Sequence, residues 1–260
     1  MIKNQKDKIK ITLLGCGNSH GVPSSDGDWG KCKKRSKNTR SRCSLYINFK
    51  KIGVLIDTSP DLRFQCLKNK ISNISHVFYT HFHYDQIGGI NDLEIFFLKK
   101  KKKINIYGNK HTISNFKKKY EYLFNNKDKH YKTILTAKII KNSLKLDKNL
   151  IFFPIKVSHG NIPTYGYIFN KIAYISDCNK IEEKYFDILK NLKLLIVDCL
   201  QYKKHPCHFN LKQVYELVEN LKPKKIILTN LSNQIDYYNL SKKIKYKNMK
   251  VGFDGMKLNI

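Results

Sequence analysis

The chain has 260 residues, a formal net charge of +30 and 41% hydrophobic residues. That length suits one large domain with a sizeable core, and residues 1–260 are expected to form a single domain. No apolar run approaches the roughly 20 residues of a membrane helix, and the seven scattered cysteines include no Cys-x-x-Cys pair, so neither a membrane span nor a disulfide or cysteine-zinc framework is expected.

The N-terminus, Met1–Lys10, is charged and polar with no apolar segment behind it. A reduced cytoplasmic protein is expected on these grounds. The charge invites a nucleic-acid reading. Arginine, however, supplies only four of the 50 basic residues, and lysine is spread almost end to end beside much Asn and Ile. These residues share AT-rich codons, so base composition accounts for the charge without selection for nucleic acid. Small anionic substrates would still be drawn to such a surface.

In chain order, a strand is predicted at Ile9–Gly15. A Gly-, Pro-, Ser- and Asp-rich loop follows to Arg42. Strands Ser44–Phe49 and Ile52–Asp57 form a hairpin over Lys50-Lys51. A helix is expected at Pro60–Lys70, with Asp61 in its first turn. Strand His76–Tyr79 precedes helix Ile90–Lys100, strand Ile104–Tyr107 and helix Thr112–Phe124. Asn125–Lys132 is a polar surface loop. Strands follow at Ile134–Ile140, Leu150–Val157, Gly166–Asn170 and Lys171–Ser176, then helix Glu182–Asn191. Strand Leu194–Asp198, helix Leu211–Leu221, strand Lys225–Thr229 and the short extended pieces Lys250–Phe253 and Met256–Ile260 complete the chain. No internal repeat is visible. The order fits two sheets packed face to face with helices outside.

Residues that carry chemistry stand at strand ends. His81, His83 and Asp85 follow the strand His76–Tyr79 at alternate positions, and Gly88-Gly89 comes next. His159, Asp177, Asp57 and Asp198 also close strands. Such positions meet at one edge of a layered fold. Imidazole and carboxylate suit zinc, manganese or iron, and a bound divalent ion lowers the pKa of water toward neutrality. Metal binding is therefore expected.

Of the four arginines, Arg35, Arg40 and Arg42 lie close together. Arg40 or Arg42 either clamps an anion with two hydrogen bonds or serves in a structural ion pair. Gly15–Pro23 lacks the Gly-Lys-Ser/Thr of a phosphate loop. Lys99–Lys103 is a solvated charge run. Trp29 either caps a cleft or packs. His76, His111 and His130 have no supporting neighbours.

Several segments together resemble the metallo-β-lactamase-fold hydrolases, and within them the branch of phosphoribosyl cyclic phosphate phosphodiesterase. They are Gly15–Pro23, Arg40–Ser44, Leu55–Arg63, Thr80–Gly89, Ser158–Gly160, Tyr174–Asp177, His205–Phe209, Leu228–Asn230 and Phe253–Met256. The resemblance implies an α/β four-layer αβ/βα sandwich with a metal site at one edge. It implies a first ion on His81, His83 and His159, with Asp177 bridging to a second. The second ion would take Asp85 and two further histidines, but those positions hold Gln86 and Asn230. A structural zinc found in some relatives is not expected, because only Cys32 and Cys43 lie in that region and Asn233 replaces a histidine.

The expectation is a metal-dependent phosphodiesterase holding Zn2+, or Mn2+, as one tightly bound ion. Asp85 orients or deprotonates water. His208, in the place of a family histidine that acts as acid or phosphate holder, protonates the leaving group. His205 is partner or bystander. His20 is either an exposed loop residue or a replacement imidazole. The substrate is expected to be a small anionic phosphodiester, with no membrane partner; a dimer is compatible with the sequence. Two alternatives stand beside this: a nuclease of the same fold acting on RNA or DNA, and a non-enzymatic binding protein with a decayed site.

Overall fold

Several strands of this chain, Leu194–Asp198 and Ile226–Thr229 among them, bury both faces, which is why they read as nearly continuous apolar runs. The computed structural model describes residues 8–125 and 132–260. The first half contains β1 (Lys10–Gly15), β2 (Ser44–Phe49), β3 (Ile52–Ile56), α1 (Leu62–Asn69), β4 (His76–Phe78), α2 (Tyr84–Ile87), α3 (Glu94–Lys100), β5 (Ile104–Gly108), α4 (Lys110–Lys119) and β6 (Leu135–Ile139). The second half contains β7 (Leu144–Asp147), β8 (Leu150–His159), β9 (Ile162–Phe169), β10 (Ile172–Ile175), β11 (Lys180–Ile181), α5 (Phe186–Leu189), β12 (Leu194–Asp198), α6 (Leu211–Leu221), β13 (Ile226–Thr229), α7 (Tyr237–Lys243), β14 (Met249–Val251) and β15 (Met256–Asn259).

One sheet has seven strands in the order β15-β1-β2-β3-β4-β5-β6; the other has eight, in the order β11-β8-β9-β10-β12-β13-β14, with β7 pairing β8. Each sheet begins with antiparallel strands (β1-β2-β3 and β8-β9-β10) and continues with parallel ones (β3-β4-β5-β6 and β10-β12-β13-β14). This repetition is one of topology, invisible as sequence self-similarity.

Alternate residues of the first sheet serve two cores. Leu13, Leu45, Ile47 and Phe78 join Phe152, Tyr167, Tyr174 and Ile196 of the second sheet in one cluster between the sheets. Leu14, Tyr46, Leu55 and Tyr79 face the other way, against Leu62, Phe96, Ile113 and Phe116 of α1, α3 and α4. Val214, Leu217 and Leu221 of α6 and Leu240 of α7 pack on the second sheet. The layers are therefore helix, sheet, sheet, helix: the four-layer αβ/βα sandwich expected from the sequence. The sheets also touch through Phe78 and Phe152, whose ring centroids lie 4.2 Å apart.

Some elements differ from expectation. The helix expected over Thr112–Phe124 ends at Lys119, because Tyr120 leaves helical geometry (φ −125°) before a 3-10 turn at Glu121–Leu123. Glu182–Asn191 holds only a 3-10 turn, Glu183–Tyr185, and the single turn α5. The strands expected to abut at 170 and 171 are separated by Asn170 and Lys171, both at positive φ (48° and 61°). That pair is a tight turn whose twist suits a hairpin. β7, β11 and α7 are additional elements. His130 and most of the expected loop Asn125–Lys132 lie outside the described residues.

Candidate metal centre

The segment after β4 is pinned from both sheets. Tyr165 N donates to Thr80 O (3.0 Å), and Tyr167 Oη donates to Tyr79 O (2.7 Å). Asp57, at the end of β3, accepts from Thr80 N (2.8 Å) and from Thr80 Oγ1 (3.0 Å). Thr80 Oγ1 in turn lies 3.0 Å from His81 Nδ1. With Asp57 ionised, the hydroxyl gives its proton to the carboxylate and accepts from His81 Nδ1–H. The lone pair of His81 then sits on Nε2, facing the cluster. Burial pushes the Asp57 carboxyl upward, and the two Thr80 donors oppose it. His81 itself is fully buried, and burial lowers its pKa to about 3, so it is a neutral imidazole.

His159, the last residue of β8, has its tautomer fixed independently. Its Nδ1 lies 3.0 Å from the Cys207 carbonyl, which only accepts, so Nδ1 carries the proton and Nε2 the lone pair. His83 completes the group. Its Nδ1 is 2.9 Å from His81 Nε2, and burial lowers its pKa. One donor atom from each of His81, His83 and His159 lies within 4.8 Å of the others. Imidazoles gathered in this way, with His81 held from behind by Thr80 and His159 by the Cys207 carbonyl, form the donor set that suits a divalent transition ion.

Asp177, after β10, belongs to a second set within the same 4.8 Å limit, together with His159 and His208. Gln86 Nε2 stands between two carboxylates, 3.0 Å from Asp85 Oδ2 and 3.2 Å from Asp177 Oδ2. Asn230 Nδ2, after β13, donates to Asp177 Oδ1 at 3.3 Å. Burial pushes Asp85 up to about 7, with the Asp177 charge adding to the shift. Burial also opposes ionisation of Asp177. The surrounding imidazoles of His81, His208 and His159 outweigh it and hold that carboxyl below the usual range.

His208 is the charged one of these. Its Nδ1 is 2.7 Å from Oδ2 of the fully buried Asp198 at the end of β12. Burial disfavours the His208 charge, but Asp198, Asp177 and Asp85 prevail and raise its pKa to about 9. With Nδ1–H committed to Asp198, Nε2 is the nitrogen left for other partners. Asn230 Nδ2 is also 3.1 Å from His208 Nδ1, but two donors face each other there, so Asp177 is the acceptor that amide satisfies.

His83, Asp85, His159, Asp177, His208 and Asn230 line one cavity of about 580 Å³ together with Asn18, His20, Gln201, His205, Asn233 and Gln234, with His81, Gln86 and Asp198 buried behind them. No lysine or arginine lines it among the described residues. His205 Nδ1 accepts from Cys207 N (3.2 Å), so a neutral His205 is a donor at Nε2. His20 lines the cavity but is exposed and outside both donor sets. A separate cavity of about 660 Å³ between α1 and α3 contains none of the histidines.

The structure thus brings His81, His83 and His159 together, with Asp85, Asp177 and His208 on the same cavity. The two arginines are structural. Arg40 is buried and donates to the carbonyls of Ser232 (2.8 Å) and Ile235 (2.7 Å), tying two loops together. Arg42 pairs with Asp61 at 2.8 Å. Trp29 is half-buried and does not line the cavity. Thr80 escapes prediction, as do the tasks of Asp57 and Asp198. Their local signal, a polar residue closing an apolar strand, names the position and not the partner.

A double αβ sandwich with a histidine cluster at the edge of its sheets defines a class of metallohydrolase. The chain matches the family model of the beta-lactamase superfamily domain over residues 53–229 and belongs to that superfamily. A diphosphatase of the PhnP family is 28% identical, with a TM-score of 0.89 over 97% of both chains, so the branch expected from the sequence also holds. The metallo-beta-lactamase fold protein YhfI of Bacillus subtilis, 17% identical, shares the fold with a TM-score of 0.77 over 98% of this chain and 100% of its own. Among curated proteins, an octanoyltransferase of Porphyromonas gingivalis is 26% identical across 95% of this chain and 51% of its own length. A ribonuclease Z of Methanocaldococcus jannaschii is 28% identical across 71% of this chain and 56% of its own. The chain spans about half the length of these curated relatives. The superfamily fold implies a divalent metal, and the donor chemistry of His81, His83 and His159 fits one.

Proposed function

We propose that the protein is a cytoplasmic metal-dependent phosphodiesterase acting on a small anionic phosphodiester, with zinc, or alternatively manganese, held by His81, His83 and His159 beside Asp177. The observation that carries this reading is the meeting of a neutral imidazole cluster with the His208–Asp198 ion pair on one cavity. A divalent ion bound there supplies Lewis-acid polarisation of the phosphoryl group and acidification of water. Asp85 faces the same cavity and takes the proton of the attacking water. His208 presents Nε2–H to the leaving oxygen, while Asp198 holds the ring by Nδ1–H. His205 adds a neutral donor beside it, so anion recognition rests on imidazoles and amides rather than on lysine.

That lining favours a small substrate over a long nucleic acid, despite the ribonuclease Z relative and the net charge. The decisive assay is hydrolysis of a panel of cyclic and linear phosphodiesters with added Zn2+ or Mn2+, run beside a structured RNA. His81→Ala is expected to lower kcat/KM by about 100-fold or more, since metal stabilisation of the transition state amounts to several kcal/mol. Full activity in the His81, His83, His159 triple alanine variant would overturn the proposal. Cleavage confined to RNA would transfer it to the nuclease reading.

A further inference from the structure

We infer that Gln86 and Asn230 replace a second cation with hydrogen bonds, so that the centre takes one divalent ion per chain. The inference rests on the metal reading above and concerns how many ions that site accepts. Asp85 and Asp177 share one amide nitrogen, Gln86 Nε2, at 3.0 and 3.2 Å. Asp177 is buried and Asp85 half-buried, and two carboxylates in such a position repel unless positive charge or N–H dipoles lie between them. Gln86, with no exposed surface, supplies the dipoles: its two N–H bonds serve Asp85 Oδ2 and Asp177 Oδ2. Asn230, 1% exposed, donates to the remaining oxygen, Asp177 Oδ1. Each oxygen of Asp177 therefore accepts one amide N–H.

The polarity of these amides cannot be reversed at no cost. Turning Gln86 over would set Oε1 against two carboxylate oxygens. The observed orientation leaves Oε1 buried without a partner, so contact with the carboxylates outweighs the need of the carbonyl. An amide nitrogen has no lone pair to offer a metal. A second ion taking ligands from positions 86 and 230 would have to break three hydrogen bonds and rotate two buried side chains. The set of His159, Asp177 and His208 does not escape this, because its carboxylate is the one that accepts from both amides.

The test is metal counting, which needs no substrate. Apo protein is titrated calorimetrically with ZnCl2, and bound zinc is measured by mass spectrometry after gel filtration. One ion per chain is expected for the native sequence and two for the Gln86→His/Asn230→His double variant. Two ions of comparable affinity in the native protein would overturn this inference alone. So would one ion in a double variant whose thermal melt shows it to be folded. Zero ions in the native protein would overturn it together with the metal reading of the function. If the double variant does not fold, the native count decides.

Discussion

His81 shows how one residue is tuned through others. Its ring is oriented by Thr80 Oγ1, and Thr80 is oriented by Asp57, so a chain of two hydrogen bonds determines which nitrogen faces the cluster. Thr80→Val keeps the shape of the side chain and removes the hydroxyl. The expected result is a loss of about 10–100-fold in zinc affinity, the usual effect of deleting a group behind a metal-ligating histidine. Competition against a chromogenic chelator measures it. Unchanged affinity would mean that packing alone holds the ring. The same contact explains what was legible at this scale. His81, His83 and Asp85 are read from sequence because their spacing is local. Asp57 is 23 residues from Thr80, and Asn230 is 53 from Asp177, so these pairings exist only once the strands are aligned.

At the scale of elements, β4 carries a built-in pH response. His76 begins the strand, with Nδ1 3.1 Å from Tyr107 Oη on the neighbouring β5. Burial, aided by the nearby Lys138 charge, lowers the His76 pKa to about 4. The unfolded chain titrates this group near the ordinary 6.5, so it takes up the proton first as the pH falls. Stability from a neutral His76 is complete above about 6.5 and declines toward 4. Urea midpoints at pH 7 and pH 5 are expected to differ more for the native protein than for His76→Gln. Equal differences would remove His76 from the acid response. Strands such as β4 were legible because both faces are apolar, which leaves an unbroken run between polar ends. The helix α7 was not, because only Leu240 of its seven residues is buried and its start depends on the Asp236 cap at Asn239 N (2.8 Å). The boundary between β9 and β10 was blurred because an Asn-Lys pair carries little of the Asn-Gly signal for such a turn.

Over the whole molecule, charge works against compactness. Twenty acidic residues cannot pair with 50 basic ones, so most of the +30 is uncompensated. Like charges spread over a folded surface repel more than they do along an expanded chain. Salt shortens their reach, from about 10 Å at 0.1 M to about 3 Å at 1 M. Exposed ion pairs such as Lys190–Asp187 and Lys245–Glu219 are screened too, but such surface pairs contribute little, and among the described residues they are few against the excess of lysine. The melting temperature is therefore expected to rise as NaCl goes from low to near-molar concentration. We further propose that the chain unfolds as one domain, because the cluster between the sheets draws side chains from both and the His81 loop is tied to β9. Scanning calorimetry at two salt concentrations tests both points. A falling melting temperature would mean that surface ion pairs outweigh the repulsion, and two resolved transitions would divide the chain into separately folding halves.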